Sequence, residues 1–222
     1  MAVFLAAFGS AWLAILKVFL VIVAAGLLVR RGILGQNAVT GLSDVTVVLF
    51  LPCLIFSKVA TTLDPRAFPL WWALPLAGVA MSAVGLGIAA LAFRRELPAK
   101  NNMLAVASMQ NAGYLVLPVG LALYPSEFDR FALYCFLFIL GFNGVLWSVG
   151  KALATGGGRP GSWRGLVTPP LVANLLATLL ALIGGNRLVP SIVLEGVDLV
   201  GQAAVPAATV VLGAVLGSVT FR

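Results

Sequence analysis

Seven apolar segments of membrane-spanning length follow one another along this chain of 222 residues. A helix needs about 20 mostly apolar residues to cross the ~30 Å hydrocarbon core of a bilayer, and none of these segments alternates in polarity as a membrane β-strand does. The sequence therefore predicts an all-α polytopic membrane protein with seven transmembrane helices. The predicted spans are residues 8–29, 39–60, 70–93, 102–124, 131–150, 168–184 and 190–219.

The composition excludes most classes of soluble protein. Hydrophobic residues make up 61% of the chain, charged residues 9%, and no histidine is present, whereas a globular domain carries about 25% charged residues. The net charge of +7 does not indicate a nucleic-acid partner, because the cations fall in short clusters between apolar runs rather than on one face. Without histidine or a carboxylate cluster, we expect no enzyme activity, no metal site and no cofactor. The predicted surrounding is the lipid bilayer.

The cations are distributed unequally between the two ends of the predicted spans. Nine of them follow spans one, three, five and seven, four lie at the opposite ends, and Lys17 lies within span one. Cytoplasmic loops carry the excess of lysine and arginine in membrane proteins. The amino terminus is therefore predicted to lie outside the cell.

The second and seventh spans carry the same spaced pair of residues. Asp44 precedes Pro52 by eight residues, Asp198 precedes Pro206 by eight, and the two pairs lie 154 residues apart. If these spans are equivalent, each repeat contains five helices, and an odd repeat must enter the membrane in the opposite sense the second time. Inverted repeats are typical of secondary transporters, whose substrate sites lie near the midplane on interrupted helices.

A glycine-rich stretch at residues 154–167 divides the chain at the point that this repeat requires. Glycine and proline at this density end a helix. We predict a first five-helix repeat at 1–153, a cytoplasmic linker at 154–167, and the first two helices of an inverted second repeat at 168–222.

The fourth span contains a candidate interruption. Gln110, Asn111, Gly113 and Pro118 lie in the centre of an otherwise apolar run. Proline removes a backbone hydrogen bond and clashes with the carbonyl four residues earlier, and backbone groups freed in this way must line a cavity or be buried in protein. The pattern favours a broken helix whose half-helix end faces a substrate. The alternative is a proline-kinked helix in which Asn111 bonds to a neighbouring helix.

Four stretches resemble the auxin efflux carrier family. They are the Asn111-x-Gly-Tyr-x-x-Leu-Pro118 motif, the run at 51–56, the Thr-Pro-Pro sequence at 168–170, and residues 205–213. The family includes bacterial permeases for malonate or malate and plant carriers of auxin. The resemblance implies ten helices in two inverted repeats, with helices four and nine broken at prolines and crossing at the substrate site. Seven helices are predicted here, so we expect helices eight to ten to be missing, or to be replaced by a second copy in a homodimer.

The resemblance also implies which residues bind the substrate. Asn111, Pro118, Leu51 and Pro52 would lie at the crossing, where an amide NH2 group can donate to a carboxylate without carrying a charge. The positive end of a half-helix would assist. Gln110 is expected instead to form a helix–helix hydrogen bond.

Four charged residues lie within or near the ends of predicted spans. Asp44 and Asp198, at equivalent repeat positions, are candidates for gating or coupling, with a first-turn helix acid as the alternative for Asp44. Lys17 is a third candidate, unless it lies at the outer interface. Lys58 is interpreted as a lysine that extends to the interface at the end of span two.

These observations predict a secondary transporter that moves small organic anions such as carboxylates by alternating access. The predicted location is the bacterial cytoplasmic (inner) membrane. One alternative is a non-transporting membrane scaffold, or a truncated half-carrier, of the same fold. Another is a carrier like the bile-acid/sodium symporters, for which uptake would depend on sodium.

Overall fold

The computed structural model describes residues 2–95, 101–154 and 167–219, and every regular element in these ranges is helical. The predicted linker lies almost wholly outside the described residues, since 155–166 are not among them. The α-helices are α1 Ala2–Arg30, α2 Gln36–Val45, α3 Leu51–Thr62, α4 Ala73–Ala92, α5 Asn101–Ser108, α6 Val116–Leu123, α7 Phe128–Val145, α8 Lys151–Ala154, α9 Pro169–Leu182, α10 Ser191–Gly201 and α11 Ala204–Ser218.

Five helical segments in the described part of the chain are long and apolar enough to cross a membrane. They correspond to predicted spans one, two, three, five and seven, and they are Phe8–Arg30, Gln36–Thr62, Ala73–Ala92, Pro125–Ala154 and Ser191–Ser218. The predicted sixth span is the shorter helix α9, and the predicted fourth span is divided between α5 and α6. The all-helical membrane fold is confirmed, and five of the seven predicted spans are continuous helices of spanning length. The other two predicted spans are also helical in the described residues, the sixth as a shorter helix and the fourth as a broken one.

Helix α3 lies at the centre of the core. It packs against α7, α9 and α10, and the side chains of Leu54, Val59, Phe136 and Leu137 are fully buried at these contacts. The outer face of α1 remains apolar and exposed, as at Leu20. An apolar exposed face is expected where the surrounding solvent is lipid.

Helices α1 and α11 cross at glycines. A Cβ atom added at Gly26 would lie 3.1 Å from the carbonyl oxygen of Gly213, and one added at Gly217 would lie 2.5 Å from the carbonyl oxygen of Gly26. Small residues permit this close approach of two backbones. In this fold, α1 of the same chain covers the glycines of α11.

Predicted spans two and seven are irregular at the same repeat position. A π-helical turn at Thr46–Phe50 joins α2 to α3, and a turn at residues 202–203 joins α10 to α11. Each irregularity contains the residue four positions before a proline, Pro52 or Pro206, whose missing N–H leaves the carbonyl of that residue without its helical partner. The irregularity therefore recurs at the spacing of the sequence repeat.

Candidate functional site

The predicted fourth span, residues 102–124, is interrupted between α5 and α6, at residues 109–115. The Oδ1 atom of Asn111 accepts hydrogen bonds from the N–H groups of Gly113 and Leu115, both at 3.3 Å. These bonds satisfy two backbone donors within the interruption itself, as the side chain of an asparagine commonly does in a turn. In the part of the chain that the structure describes, the Nδ2 group of Asn111 has no such partner.

Pro118 lies inside α6 rather than at the interruption. It is the third residue of that helix and is buried. The first N–H groups of a helix have no intrahelical partner, so a proline in the first turn costs no hydrogen bond. The sequence predicted the interruption between Gln110 and Pro118, and the structure places it at residues 109–115, so that it ends just before the helix that contains Pro118.

A cavity of about 460 Å³ lies beside the interruption. Its walls come from α3, residues 109–114, α7 with the turn that follows it, and the starts of α9 and α11. No charged side chain is among the lining residues that the structure describes. The polar side chains that line the cavity are Gln110, Asn111, Tyr114, Asn143, Trp147 and Thr168.

The four predicted substrate-binding residues are divided between three places. Leu51 and Asn111 line the cavity, Pro52 lines a separate apolar groove beside α9, and Pro118 is buried in α6. Their role in binding a substrate stays a prediction.

The position of Gln110 contradicts the helix–helix hydrogen bond that the sequence predicted for this residue. It lines the cavity, and its Nε2 atom is buried without a hydrogen-bond partner in the described part of the chain. The helix–helix hydrogen bond expected of this donor is therefore not formed. A buried donor without a partner costs about 1–3 kcal/mol, which is unusual enough to mark a position where another molecule can supply the acceptor.

Three charged side chains, Lys58, Asp129 and Asp198, form an ion cluster between α3, α7 and α10. The Nζ atom of Lys58 lies 2.8 Å from Oδ1 of Asp198 and 3.0 Å from Oδ1 of Asp129. Lys58 is only 9% exposed, so the sequence interpretation of this residue as an interfacial lysine is wrong. A buried ammonium requires such partners, because desolvation of an unpaired charge is expensive.

The two carboxylates of the ion cluster are held unequally. Asp198 also accepts a hydrogen bond from Ser57 Oγ at 2.9 Å and one from Gln202 Nε2 at 3.0 Å, and its side chain is 25% exposed. The side chain of Asp129 is 61% exposed. Asp198 is therefore the partner of Lys58 with more hydrogen bonds, and Asp129 is the more exposed one.

A close helix crossing brings Lys58 and Asp198 together. A Cβ atom added at Gly201 would lie 2.6 Å from the backbone nitrogen of Leu54, so α3 and α10 approach as closely as glycine permits. Lys58 follows Leu54 by one turn on α3, and Asp198 precedes Gly201 by about one turn on α10. Antiparallel helices in contact at this crossing therefore place the two side chains at the same level.

The ion cluster lies outside the cavity lining, on two of the helices that form the cavity wall. Ile55 lines the cavity, and Lys58 lies three residues, or about 4.5 Å, further along α3. On α7, Phe136 lines the cavity, and Asp129 lies about 10 Å away at the start of that helix. The cluster thus ties three helices together about one turn beyond the cavity wall.

The other two candidates for gating or coupling lie apart from both features. Asp44 is exposed on α2 and Lys17 is exposed on α1, and neither lines the cavity. Asp198 and Asp44 share a repeat position, but only Asp198 belongs to the ion cluster. A role for Asp44 or Lys17 in coupling stays a prediction.

A comparison with protein families matches nearly the whole chain. The family model described as "Membrane transport protein" matches residues 10–154 and 161–221. The match thus includes the interrupted fourth helix and all three residues of the ion cluster. No curated protein matches this chain.

Proposed function

The chain belongs to the membrane transport protein family, that of the auxin efflux carriers, and from this premise we propose that it moves small organic anions, carboxylates in particular, by alternating access. The family consists of membrane transporters and is not an enzyme family. The observation that carries the proposal is the cavity at the interruption between α5 and α6, which combines amide donors with an uncharged lining in the described residues.

The size and the chemistry of the cavity support a small substrate. A volume of about 460 Å³ lies within the range of small-molecule sites, which are mostly apolar with a few placed polar groups. Asn111 is the proposed carboxylate donor, because its Oδ1 is occupied by backbone N–H groups and its Nδ2 is not. An uncharged amide binds an anion without holding it as a permanent cation would, which suits a site that must release its ligand.

The other predicted residues act through their positions. Leu51 forms part of the apolar wall, Pro52 maintains the π-helical turn before α3, and Pro118 fixes the first turn of α6. We assign Asp198 to the gate, because its pairing with Lys58 joins a helix of the first predicted repeat to one of the second. Any movement of 168–222 against 1–153 that opens this end of the cavity must separate that pair.

Reconstitution in liposomes tests the proposed function. Uptake of radiolabelled benzoate, malonate and acetate is measured with and without proton and sodium gradients, with protein-free liposomes as the control. We expect uptake of at least one carboxylate above the control. Uptake of none of them under any gradient would reject transport of these carboxylates and favour the non-transporting scaffold, whereas uptake that needs sodium would favour a sodium-coupled carrier.

A substitution at Asn111 connects this activity to the cavity. Asn111→Asp keeps the oxygen that accepts the Gly113 and Leu115 N–H groups, but it replaces the Nδ2 donor with a second carboxylate oxygen that repels an anion. We expect this variant to retain its melting temperature and to lose carboxylate uptake. Unchanged uptake would place the substrate site elsewhere in the molecule.

A further inference from the structure

We propose that Lys58 is a second anion-binding residue, separate from Asn111, and that a carboxylate of the transported molecule replaces Asp129 on the Lys58 ammonium when it occupies this second position. This inference rests on the proposed function for the identity of the anion. The ion cluster would then be a binding site at the end of the cavity as well as a structural contact.

The burial of the Lys58 ammonium indicates this role. Lys58 is the one charged side chain that is buried among the residues whose burial the structure describes. The cavity itself has no charged lining residue. An anion that leaves water needs a compensating charge, and the nearest ammonium along the cavity wall lies one turn beyond Ile55 on α3.

The unequal attachment of the two carboxylates identifies the one that leaves. Ser57 and Gln202 hold Asp198 in place independently of Lys58, whereas the Asp129 side chain is mostly exposed. Asp129 is also the second residue of α7, where the helix dipole stabilises a carboxylate even without Lys58. Asp129 can therefore turn into solvent at low cost, while Asp198 remains on Lys58.

The exchange conserves the charge around Lys58. One ammonium faces two carboxylates before the exchange and two carboxylates after it, since the carboxylate of the ligand takes the place of Asp129. What changes is the tie between helices, because α7 is no longer attached to α3 through Asp129. Binding of the anion would thus loosen one side of the ion cluster and leave the contact between α3 and α10 intact.

A binding experiment on the full chain in detergent tests this exchange. Binding of benzoate, malonate and acetate is measured by isothermal titration for the wild type, Asp129→Asn, Lys58→Gln and the matched control Glu127→Gln. Glu127 is an exposed acid two residues from Asp129, and it pairs with Arg130 at 3.7 Å instead of Lys58. Benzamide, which lacks the anionic oxygen, serves as the uncharged probe.

We expect Asp129→Asn to bind carboxylates several-fold more tightly, because the competing carboxylate is removed, and Glu127→Gln to bind them as the wild type does. Lys58→Gln should weaken carboxylate binding by about tenfold to a hundredfold, the usual worth of a hydrogen bond to a charged group. Binding of benzamide should not change in any variant. If Lys58→Gln fails to fold, Asp129→Asn still tests the proposal, because this variant retains the pair of Lys58 with Asp198.

Three results would overturn the proposal. They are equal effects of Asp129→Asn and Glu127→Gln, which would indicate a general change in surface potential; unchanged binding in Lys58→Gln; and no carboxylate binding by the wild type. Liposome uptake separates this proposal from the proposed function. Uptake that is insensitive to residues 58 and 129 would reject only the exchange, whereas the expected binding pattern without uptake would reject only transport.

Discussion

The cavity and the ion cluster lie about one helical turn apart, yet they are built from opposite chemistry. The described lining of the cavity is uncharged, and its polar groups are amides, hydroxyls and an indole. The ion cluster contains two carboxylates, each within hydrogen-bond distance of the same ammonium. The difference indicates a division of tasks: the polar groups of the cavity can contact a ligand without a permanent charge, while the pairing of Lys58 with Asp198 holds α3 against α10.

The largest effect that this comparison predicts is on stability, at Asp198. Asp198→Ala leaves Lys58 buried with only the exposed partner Asp129, and removal of one member of a buried ion pair typically costs about 3–5 kcal/mol. We expect the lower end of this range, because Asp129 remains. The measurement is the free energy of unfolding, or the melting temperature, in detergent.

The matched control for this substitution is Asp44→Ala. Asp44 occupies the equivalent repeat position but is exposed, so its removal should change stability by less than about 0.5 kcal/mol. Equal destabilisation by the two substitutions would show that the ion cluster has no special role in holding α3 to α10. The double variant Lys58→Met/Asp198→Leu sharpens the test, since replacing both charges should recover much of the loss.

The second prediction concerns the cavity, and here the substitution is expected to raise stability instead of lowering it. Gln110→Met removes the buried Nε2 donor that has no partner and keeps a side chain of similar length. Because an unsatisfied buried donor costs about 1–3 kcal/mol, we expect this variant to be more stable than the wild type by about 1 kcal/mol. We also expect it to bind carboxylates less tightly, which titration in detergent would measure.

The combination of the two results is informative. A site that binds ligands often retains a group that destabilises the empty protein, so higher stability with weaker binding would assign Gln110 to the site. Higher stability with unchanged binding would show that the orphan donor is only a local packing defect. Lower stability would contradict the geometry, because it would mean that Nε2 does have a partner.

The lengths of the apolar segments and the local sequence of the predicted fourth span predicted much of this arrangement. The lengths of the apolar segments predicted a helical membrane protein, and Asn111, Gly113 and Pro118 predicted a break in the fourth span. These signals are local, since backbone hydrogen bonds of a helix lie within one segment and lipid provides no alternative partners. The irregularities before Pro52 and Pro206 have the same local origin.

The contacts between helices could not be predicted in this way. Lys58 lies near the end of a span, and its sequence position is equally compatible with an interfacial lysine or with a buried ion pair. The pairing depends on the crossing of α3 and α10 at Gly201, which is a property of two segments distant in sequence.

The last prediction concerns Asn111, where the backbone hydrogen bonds and the proposed ligand contact use different atoms of one side chain. Asn111→Ala removes the Oδ1 acceptor of the Gly113 and Leu115 N–H groups, and loss of a side-chain hydrogen bond typically costs about 1 kcal/mol. Asn111→Asp retains an acceptor and should leave the melting temperature unchanged. If Asn111 only contacted a ligand, neither substitution would lower stability.

Carboxylate uptake is the second measurement on the same pair of variants. Both should lose uptake, Asn111→Ala because the donor is absent and Asn111→Asp because a carboxylate repels the anion. Loss of uptake in the alanine variant alone would indicate that transport requires the hydrogen bonds to Asn111 Oδ1, and therefore the shape of the interruption. Loss in both, with lower stability only for alanine, would show that the cavity uses the Nδ2 donor itself, in contrast to the ion cluster, where each charged group both holds the fold and is proposed to act in transport.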